Sequence, residues 1–333
     1  MPSLIVRHAA ALAGACAVAT LLASAPARAQ QPSSSRGPLL FVTNEGGNTL
    51  TVLRARAPYT VVATIAVGNR PRGMALSPDR RRVYVALGKD DAVAVVDVAT
   101  LAVVDTIPVG QDPEQVALAP DGRTLYVSNE ETSSATAVDV ATKARRFQAA
   151  VGEEPEGVGV MPGGAKLYVT GESANSVTVI DAAGGAVRKS IPVGARPRWI
   201  AFSRDGARAY VTAETGGTLS IVDTRADSVV GVVQIGDSTR PVGVVPSRDG
   251  RTLYVAMGRA HAVAFVDLAR RAVTARVPVG ERPWGIALSP DGRALYTADG
   301  RAGSVSVLDP RRHRVVAHVP VGVRPYGVLY VGR

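Results

Sequence analysis

Residues 83–118 read VYVALGKDDAVAVVDVATLAVVDTIPVGQDPEQVAL, and this stretch decides the fold. Runs rich in β-branched residues occupy positions 83–86, 92–96, 102–108 and 115–118, and polar turn residues separate them. Strands of about five residues with turn signals roughly every ten residues predict an all-β fold. Four such strands fit one blade of a β-propeller.

The same pattern repeats along nearly the whole chain. A tyrosine marks each copy at a spacing of 42 or 44 residues, and Phe41 takes its place in the first copy. The tyrosines are Tyr84, Tyr126, Tyr168, Tyr210, Tyr254 and Tyr296. Seven copies with this period predict a seven-bladed propeller of four-stranded antiparallel blades, because a solenoid would need shorter copies and no closure.

The two ends of the repeat array predict how the ring closes. The chain enters at residues 39–43, in the strand that holds the tyrosine in other copies, and ends with residues 326–331, the strand that the first copy lacks. We therefore expect the C-terminal strand to complete the first blade, which leaves no open blade edge. An aspartate that ends the third strand of each later copy is expected to accept backbone hydrogen bonds in the next turn.

Composition excludes several classes of protein. The 333 residues are 46% hydrophobic and 20% charged, so the chain can bury a core and is not disordered. The single cysteine, Cys16, excludes an intramolecular disulfide and a multi-cysteine metal site. The formal net charge is +10, and most of the cations are arginines.

The N-terminal segment resembles a secretory signal peptide over residues 1–29. Arg7 precedes an apolar run, and Ala27-Arg28-Ala29 forms a small-x-small cleavage site. Cleavage after Ala29 would leave residues 30–38 as a flexible linker and 39–333 as the propeller, with no transmembrane span. A lipoprotein anchored through Cys16 is the alternative. Either route predicts a periplasmic or secreted protein.

The residues that flank a recurring proline are expected to ring one mouth of the central channel, because that turn leads into each inner strand. Together with Trp199, which stands where other copies have glycine, they form the predicted binding site. The charged and aromatic members of this set are Arg70, Arg72, Asp112, Glu114, Glu154, Glu156, Arg196, Arg198, Trp199, Arg240, Arg282, Trp284, Arg324 and Tyr326. They could bind a small anionic or planar ligand through arginine forks and an aromatic face, or they could only bridge adjacent blades.

Three short runs carry a resemblance to a known repeat. Residues 125–129 (LYVSN), 167–171 (LYVTG) and 41–44 (FVTN) resemble the YVTN β-propeller repeat, and the likeness extends over about residues 39–331. This resemblance implies the propeller fold. It says less about function, since such propellers include binding proteins, enzymes and surface proteins.

A narrower resemblance involves strings that belong to single blades. Residues 112–114 (DPE), 154–157 (EPEG), 196–198 (RPR) and 240–243 (RPVG), with the late Trp284, resemble the propeller associated with pyrroloquinoline quinone (PQQ)-dependent catabolism in bacteria. The turn before Arg240 is shorter than that family would have. The resemblance implies a non-enzymatic accessory, without catalytic residues or a cofactor of its own. Its expected partner is a PQQ-containing quinoprotein dehydrogenase or a cytochrome c, and the propeller itself is expected to be a monomer.

Two further functions are kept as alternatives. A lactonase or lyase would need a metal held by the clustered carboxylates of the second and third blades, or a histidine in the channel, for which His261 is the candidate. Nucleic-acid binding would use arginine together with tryptophan stacking. An export signal and arginines mixed with acids on one face argue against nucleic acid.

Overall fold

The computed structural model describes Met1 and residues 37–332. The predicted signal peptide and most of the predicted linker therefore lie outside the described residues. Within the described part, every regular element is a β-strand. In chain order these are β1 (Leu39–Asn44), β2 (Thr49–Arg54), β3 (Val61–Ala66), β4 (Pro71–Leu76), β5 (Arg82–Leu87), β6 (Ala92–Asp97), β7 (Ala102–Pro108), β8 (Pro113–Leu118), β9 (Thr124–Asn129), β10 (Ser134–Asp139), β11 (Arg145–Ala150), β12 (Pro155–Val160), β13 (Lys166–Gly171), β14 (Ser176–Asp181), β15 (Val187–Pro192), β16 (Pro197–Phe202), β17 (Arg208–Ala213), β18 (Thr218–Asp223), β19 (Ser228–Gln234), β20 (Pro241–Pro246), β21 (Thr252–Met257), β22 (Ala262–Asp267), β23 (Ala272–Pro278), β24 (Pro283–Leu288), β25 (Leu295–Asp299), β26 (Ser304–Asp309), β27 (Arg314–Pro320) and β28 (Pro325–Val331).

These strands form seven four-stranded antiparallel sheets, one for each blade. Blade 1 has the order β28-β1-β2-β3, and blades 2 to 7 each take four consecutive strands from β4 onward. The innermost strands of neighbouring blades contact each other all round the ring. The predicted seven-bladed propeller is confirmed.

Ring closure also follows the prediction. β28 pairs antiparallel with β1, so that Phe41 lies opposite Leu329 and Val42 opposite Val328. The C-terminal strand thus supplies the inner strand of blade 1. The edge of β1 that would otherwise be open is therefore paired within the chain and is not available to another molecule.

The core consists of aliphatic layers between neighbouring blades. Between blades 1 and 2, for example, Phe41 and Val52 from one sheet face Val83 and Val85 from the next. Each of the seven blade interfaces has such a cluster. This packing explains a chain with few aromatic residues, because two twisted sheets interlock through branched side chains.

Three of the six recurring tyrosines, Tyr126, Tyr168 and Tyr296, hydrogen-bond to the next blade. All six are buried. The Tyr126 hydroxyl donates to the carbonyl of Ala182 in the following blade over 2.8 Å, and Tyr296 does the same to Ala55 over 3.0 Å across the closing seam. A tyrosine fits this position because its ring fills the layer while its hydroxyl satisfies a buried carbonyl.

The recurring aspartates cap the turns as expected. The Asp97 carboxylate accepts the backbone N–H groups of Ala99 and Thr100 at 2.9 and 2.7 Å. The same arrangement follows the third strand of each later blade, at Asp139, Asp181, Asp223, Asp267 and Asp309. All these turns lie on the face opposite to the one where the inner strands begin.

Candidate functional site

Each inner strand enters the channel through the same backbone device. The residue before its proline has a left-handed φ in all seven blades, for example 53° at Arg70 and 59° at Arg196. A one-residue bulge follows the proline, as between Pro113 and Val116. Bulges re-aim side chains. The residues on both sides of each proline therefore converge on one mouth of the channel, where the sequence placed them.

The strained residue of these turns is held by a side chain from the preceding hairpin. The backbone N–H of Arg70 donates to Asn48 at 3.0 Å, and that of Arg196 donates to Asn175 at 2.8 Å. His261 occupies the equivalent position in blade 6, where its Nδ1 accepts the N–H of Arg282 at 3.0 Å. His261 is therefore a turn cap, and its geometry does not support the ligand or catalytic role considered for it.

In blades 2 to 5, the residues that follow the prolines form a buried chain of ion pairs together with Glu214. Arg72 Nε lies 2.7 Å from Glu114 Oε2, and its Nη2 lies 3.6 Å from Glu156. Arg198 contacts Glu156 in turn and reaches Glu214 Oε2 at 2.8 Å. All five side chains are buried. They bridge neighbouring blades, as the alternative interpretation of these charges expected.

Two further carboxyl groups contact this chain from the turns that follow the second strands. Glu156 and Glu172 lie against the same nitrogen, Nη1 of Arg198, and an oxygen of Glu130 lies within 4.8 Å of one of Glu114. Burial raises the pKa of Glu172 to about 7, and the charge of Glu156 adds to the rise. Burial opposes ionisation of Glu156 as well, but Arg198 and Arg72 outweigh it and lower the pKa of that carboxyl. Glu156 therefore keeps the negative charge of this pair, and Glu172 carries a proton that titrates near neutrality.

The other carboxyl pair combines a fully buried group, Glu114, with the partly exposed Glu130, which lines a cavity at the mouth. Burial raises the pKa of Glu114 well above its ordinary value, and the charge of Glu156 works in the same direction. Arg72 and Arg70 oppose this rise without overcoming it. Glu156 and Glu172 are both largely buried, and both line the same cavity.

A cavity of about 750 Å³ opens over this pair. Glu172, Arg196 and Arg198 line one part of it, while Trp284 and Tyr326 from blades 7 and 1 form an aromatic wall. The two aromatic rings lie 5.6 Å apart. Guanidinium groups stack on both of them, with Arg282 4.4 Å from the Trp284 ring and Arg72 4.3 Å from the Tyr326 ring.

The predicted site residues separate into three groups. Most line the cavity directly: Arg70, Arg72, Glu154, Glu156, Arg196, Arg198, Trp284 and Tyr326. Asp112 and Glu114 lie beneath it in contact with Arg70. The remainder lie beside it. Arg240 and Arg282 contact Glu214, and Arg324 is exposed at the rim. Trp199 packs between blades 5 and 6, with its ring 6.5 Å from that of Tyr326.

The prediction of individual site residues left out Glu172 and Glu214. Both come directly after a tyrosine strand, at the position of Glu45 and Glu130 in other blades. In the structure this position lies at the mouth face. What distinguishes Glu172 and Glu214 from the other glutamates at this position is that they lie beside the turn that carries Arg196 and Arg198.

One group of carboxylates among the described residues has metal-like spacing. Asp112, Glu114 and Glu130 each offer an oxygen within 4.8 Å of the others. The Arg70 guanidinium already lies among them: it contacts Asp112 and is 2.9 Å from Glu114 and 3.8 Å from Glu130. A metal ion would have to displace this cation, so the residues do not fit the metal centre considered for a lactonase.

The repeat and the closed ring define a YVTN-type seven-bladed β-propeller. Residues 78–166 match the model of the YNCE-like beta-propeller family, and residues 204–326 match that of the Cytochrome D1 heme domain. No curated protein matches the chain significantly. Among the residues that the model describes, no helix is long and apolar enough to span a membrane.

Solved structures with the same fold include several enzymes. The hydrazine synthase of Kuenenia stuttgartiensis is 26% identical, with a TM-score of 0.71 over 77% of this chain and 88% of that one. The periplasmic gluconolactonase of Pseudomonas aeruginosa is 20% identical, with a TM-score of 0.74 over 88% and 99%. The dihydro-heme d1 dehydrogenase NirN in complex with DHE is 18% identical, with a TM-score of 0.67 over 93% and 78%.

These comparisons correct the expected function. The expectation of a non-enzymatic, PQQ-associated accessory is wrong, because the similar propellers include a gluconolactonase and a dehydrogenase and part of the chain matches a haem-domain model. The enzymatic alternative is better supported.

A haem does not fit this mouth. Haem iron takes an axial histidine, cysteine, methionine or tyrosine. Of these, the cavity lining includes only Tyr326, which is buried with the Arg72 guanidinium stacked on its ring. The described histidines are engaged elsewhere: His261 caps a turn, His313 packs on Phe265 at 4.5 Å, and His318 contacts Ser306 at 3.0 Å in an outer strand.

Proposed function

We propose that the chain is a hydrolase of the lactonase type that opens polyhydroxylated lactones at the channel mouth. The observation that carries the proposal is the Glu156/Glu172 pair, in which a carboxyl group with a pKa of about 7 lines an accessible cavity next to arginine. A general base works best when its pKa lies near the operating pH. The similarity to a periplasmic gluconolactonase supports the same class of reaction.

The reaction assigns a role to each group at the pair. Ionised Glu172 takes a proton from water as the water oxygen attacks the lactone carbonyl carbon. Arg196, which lies against Glu172 and is the more exposed of the two arginines there, stabilises the negative charge that develops on the carbonyl oxygen. The ring C–O bond then breaks, and the leaving alkoxide takes the proton from Glu172, which yields a hydroxy acid.

Arg198 positions the base without contacting the substrate. Its Nη1 lies 2.8 Å from Glu172 Oε2, and its Nε holds Glu214 at 2.8 Å. Because Arg198 is buried and shared among carboxylates, it fixes the Glu172 carboxyl group and limits how far burial raises its pKa. Without this cation, Glu172 would stay protonated at neutral pH and could not act as a base.

The lining of the cavity favours a sugar-derived substrate. Carboxylate and guanidinium groups make up most of the wall, and they can hydrogen-bond to a ring of hydroxyl groups. The half-buried Trp284 offers an apolar face on which the C–H side of a sugar ring can lie, whereas Tyr326 is buried with Arg72 stacked on its ring. A lyase is the weaker candidate, because its histidine, His261, is committed to a turn.

The test measures acid release from gluconolactone in a pH-stat, with spontaneous hydrolysis subtracted. We expect kcat/KM to rise with pH through about 7, as Glu172 loses its proton. Glu172→Gln should lower kcat by roughly 10²–10⁴-fold, the usual contribution of a general base. Glu154→Gln, which changes an exposed carboxylate of the same cavity, should leave kcat within about threefold. Equal rates of lactone hydrolysis by Glu172→Gln and by the wild type would refute the proposal.

The proposal includes export to the periplasm with cleavage after Ala29. The support is the signal-like sequence and the periplasmic gluconolactonase of the same fold. N-terminal sequencing of protein from the periplasmic fraction should begin at Gln30. A lipid-modified N-terminus at Cys16 would establish the alternative route.

A further inference from the structure

The turns after the second strands of the blades repeat one pairing at the mouth. The first residue of such a turn lies beside the residue that precedes the proline of the next blade. In three places a glutamate at the first position contacts an arginine at the second: Glu45 with Arg70, Glu172 with Arg196, and Glu214 with Arg240. At these places the carboxylate of one blade neutralises the cation of the next.

Glycine replaces the glutamate of this pairing in blades 2, 6 and 7. In blade 2, Gly88 lies beside an aspartate, Asp112, so the missing carboxylate leaves no arginine there without its partner. In blade 6, Gly258 lies beside Arg282, and the pairing lacks its carboxylate. Arg282 reaches back two blades to Glu214 instead, at 2.9 Å.

The space over Gly258 is open. A Cβ atom there would lie 3.4 Å from the Arg282 guanidinium and 3.4 Å from the Arg240 carbonyl, with nothing nearer. The space over Gly300, the glycine of blade 7, is filled, because a Cβ atom there would lie 2.8 Å from the Trp284 ring. We call the space over Gly258, between Arg240 and Arg282, the Gly258 gap.

Positive charge around the Gly258 gap exceeds negative charge. The Glu214 carboxylate is shared by four guanidinium groups within 3.4 Å: Arg196, Arg198, Arg240 and Arg282. Among the described residues, Glu214 is the one ion-pair partner of Arg240 and of Arg282. Asp237 and Glu281 lie in adjoining turns, but both are exposed and neither forms an ion pair with a described residue. The gap can therefore accept a further negative charge.

Arg282 is fixed in position beside the gap. Its backbone N–H donates to His261 Nδ1 at 3.0 Å, and its guanidinium stacks on the Trp284 ring at 4.4 Å. Burial lowers the pKa of Arg282, and the charges of neighbouring arginines act in the same direction, because Glu214 does not offset them. An anion in the Gly258 gap would stabilise this half-buried cation.

We propose that the Gly258 gap binds a carboxylate group of the molecule that occupies the mouth. The repeat indicates a carboxylate rather than a phosphate, because glutamate side chains meet the equivalent arginines of other blades. The gap adjoins the cavity at Trp284, which lines the cavity and contacts Arg282. Together with the proposed hydrolysis, on which this step rests, the site selects sugar lactones that carry a carboxylate remote from the lactone group.

The test compares three sugars that differ only at carbon 6. Glucuronate carries a carboxylate there, glucose a hydroxymethyl group, and glucose 6-phosphate a phosphate ester. In titrations followed by tryptophan fluorescence, glucuronate should bind roughly 10- to 100-fold more tightly than glucose, since hydrogen bonds to charged groups are worth that much. Glucose 6-phosphate should bind more weakly than glucuronate. Equal binding of glucuronate and glucose, or tighter binding of the phosphate ester, would overturn the proposal.

The decisive variant, Gly258→Glu, places the repeat's own carboxylate in the gap and should abolish the preference for glucuronate. Glutamate stands at this position in four other blades, so the backbone accommodates it. Arg282→Gln removes the cation instead and should have the same effect. The matched control, Ala260→Glu, adds the same charge to the same turn, where Asp90 of blade 2 hydrogen-bonds Asn69, and should keep the preference within about threefold. An unchanged preference in folded Gly258→Glu and Arg282→Gln would place the site elsewhere.

Rates of lactone hydrolysis separate this inference from the hydrolase proposal. The kcat/KM for glucarolactone, which carries a free carboxylate, should exceed that for gluconolactone, and Gly258→Glu should remove the excess. Hydrolysis of gluconolactone without any preference for glucarolactone or glucuronate would overturn this inference and leave the hydrolase intact. A preference for glucuronate with hydrolysis of neither lactone would overturn the hydrolase and leave the carboxylate site.

Discussion

The buried carboxyl pair predicts that Glu172→Gln gains stability relative to the wild type as the pH rises, while it removes activity. In the folded protein the pKa of Glu172 is about 7, against 4.5 for an unperturbed glutamate. The folded state therefore binds this proton more tightly than the unfolded chain does. The free energy of unfolding should fall as the pH rises from 4.5 to about 7.

The magnitude follows from the two pKa values. A rise of the pKa from 4.5 to about 7 corresponds to roughly 3 kcal/mol of folding free energy. The wild type has this stabilisation at low pH and loses it once Glu172 is fully ionised. The glutamine variant does not ionise, and its amide can still donate a hydrogen bond to Glu156. The stability of Glu172→Gln relative to the wild type should therefore increase by roughly 3 kcal/mol between about pH 5 and about pH 8.

The measurement is urea unfolding followed by tryptophan fluorescence, since both tryptophans lie at the mouth face. The substitution also removes an ion-pair partner of Arg196 and Arg198, which changes the free energy of unfolding by a constant amount at every pH. The change with pH in the difference between the two proteins is therefore the quantity that reports on Glu172. Glu154→Gln is the matched control and should show no such trend, because Glu154 is exposed. A difference between Glu172→Gln and wild type that stays flat with pH would refute the shifted ionisation, and with it the role of Glu172 as a base.

Three further predictions concern the ring. Tyr296→Phe removes the hydrogen bond to Ala55 across the closing seam and should cost about 1 kcal/mol in urea unfolding. Arg198→Met leaves buried carboxylates without their shared cation and should cost about 3–5 kcal/mol, whereas Arg324→Ala at the exposed rim should stay within about 0.5 kcal/mol. Deletion of residues 325–333 removes the partner of β1, and cooperative unfolding should be lost in calorimetry.

The fold was predictable because each blade repeats the same local signals. Strand positions were correct, but their ends were not: the run 83–86 lies inside β5 (Arg82–Leu87), and the run 115–118 omits the first two residues of β8 (Pro113–Leu118). Runs of branched residues mark only the part of a strand that packs. The inner strands begin earlier because proline can start a strand, and the bulge after it breaks the alternation on which the pattern depends.

The site was predictable in position and not in pairing. Phase along the repeat placed the residues beside each proline at one mouth, since equivalent residues of every blade share a face. Whether Arg72 faces Glu114 or solvent depends on distances of a few ångströms between neighbouring blades. The spacing of the repeat along the sequence gives no information about those distances. The elevated pKa of Glu172 was equally hidden, because it arises from burial against Glu156 rather than from residue type.

A constant backbone with variable side chains explains how one half of the mouth differs from the other. The left-handed residue and the bulge recur in all seven blades, so the position after the proline always faces the channel. Blades 2 to 5 fill that position with two arginines and two glutamates, and blades 6, 7 and 1 fill it with Val242, Trp284 and Tyr326. A sugar ring lying on the aromatic half would place its polar edge toward Glu172. The repeat thus fixes where groups converge, and the departure from sevenfold symmetry gives the mouth a direction in which a substrate can bind.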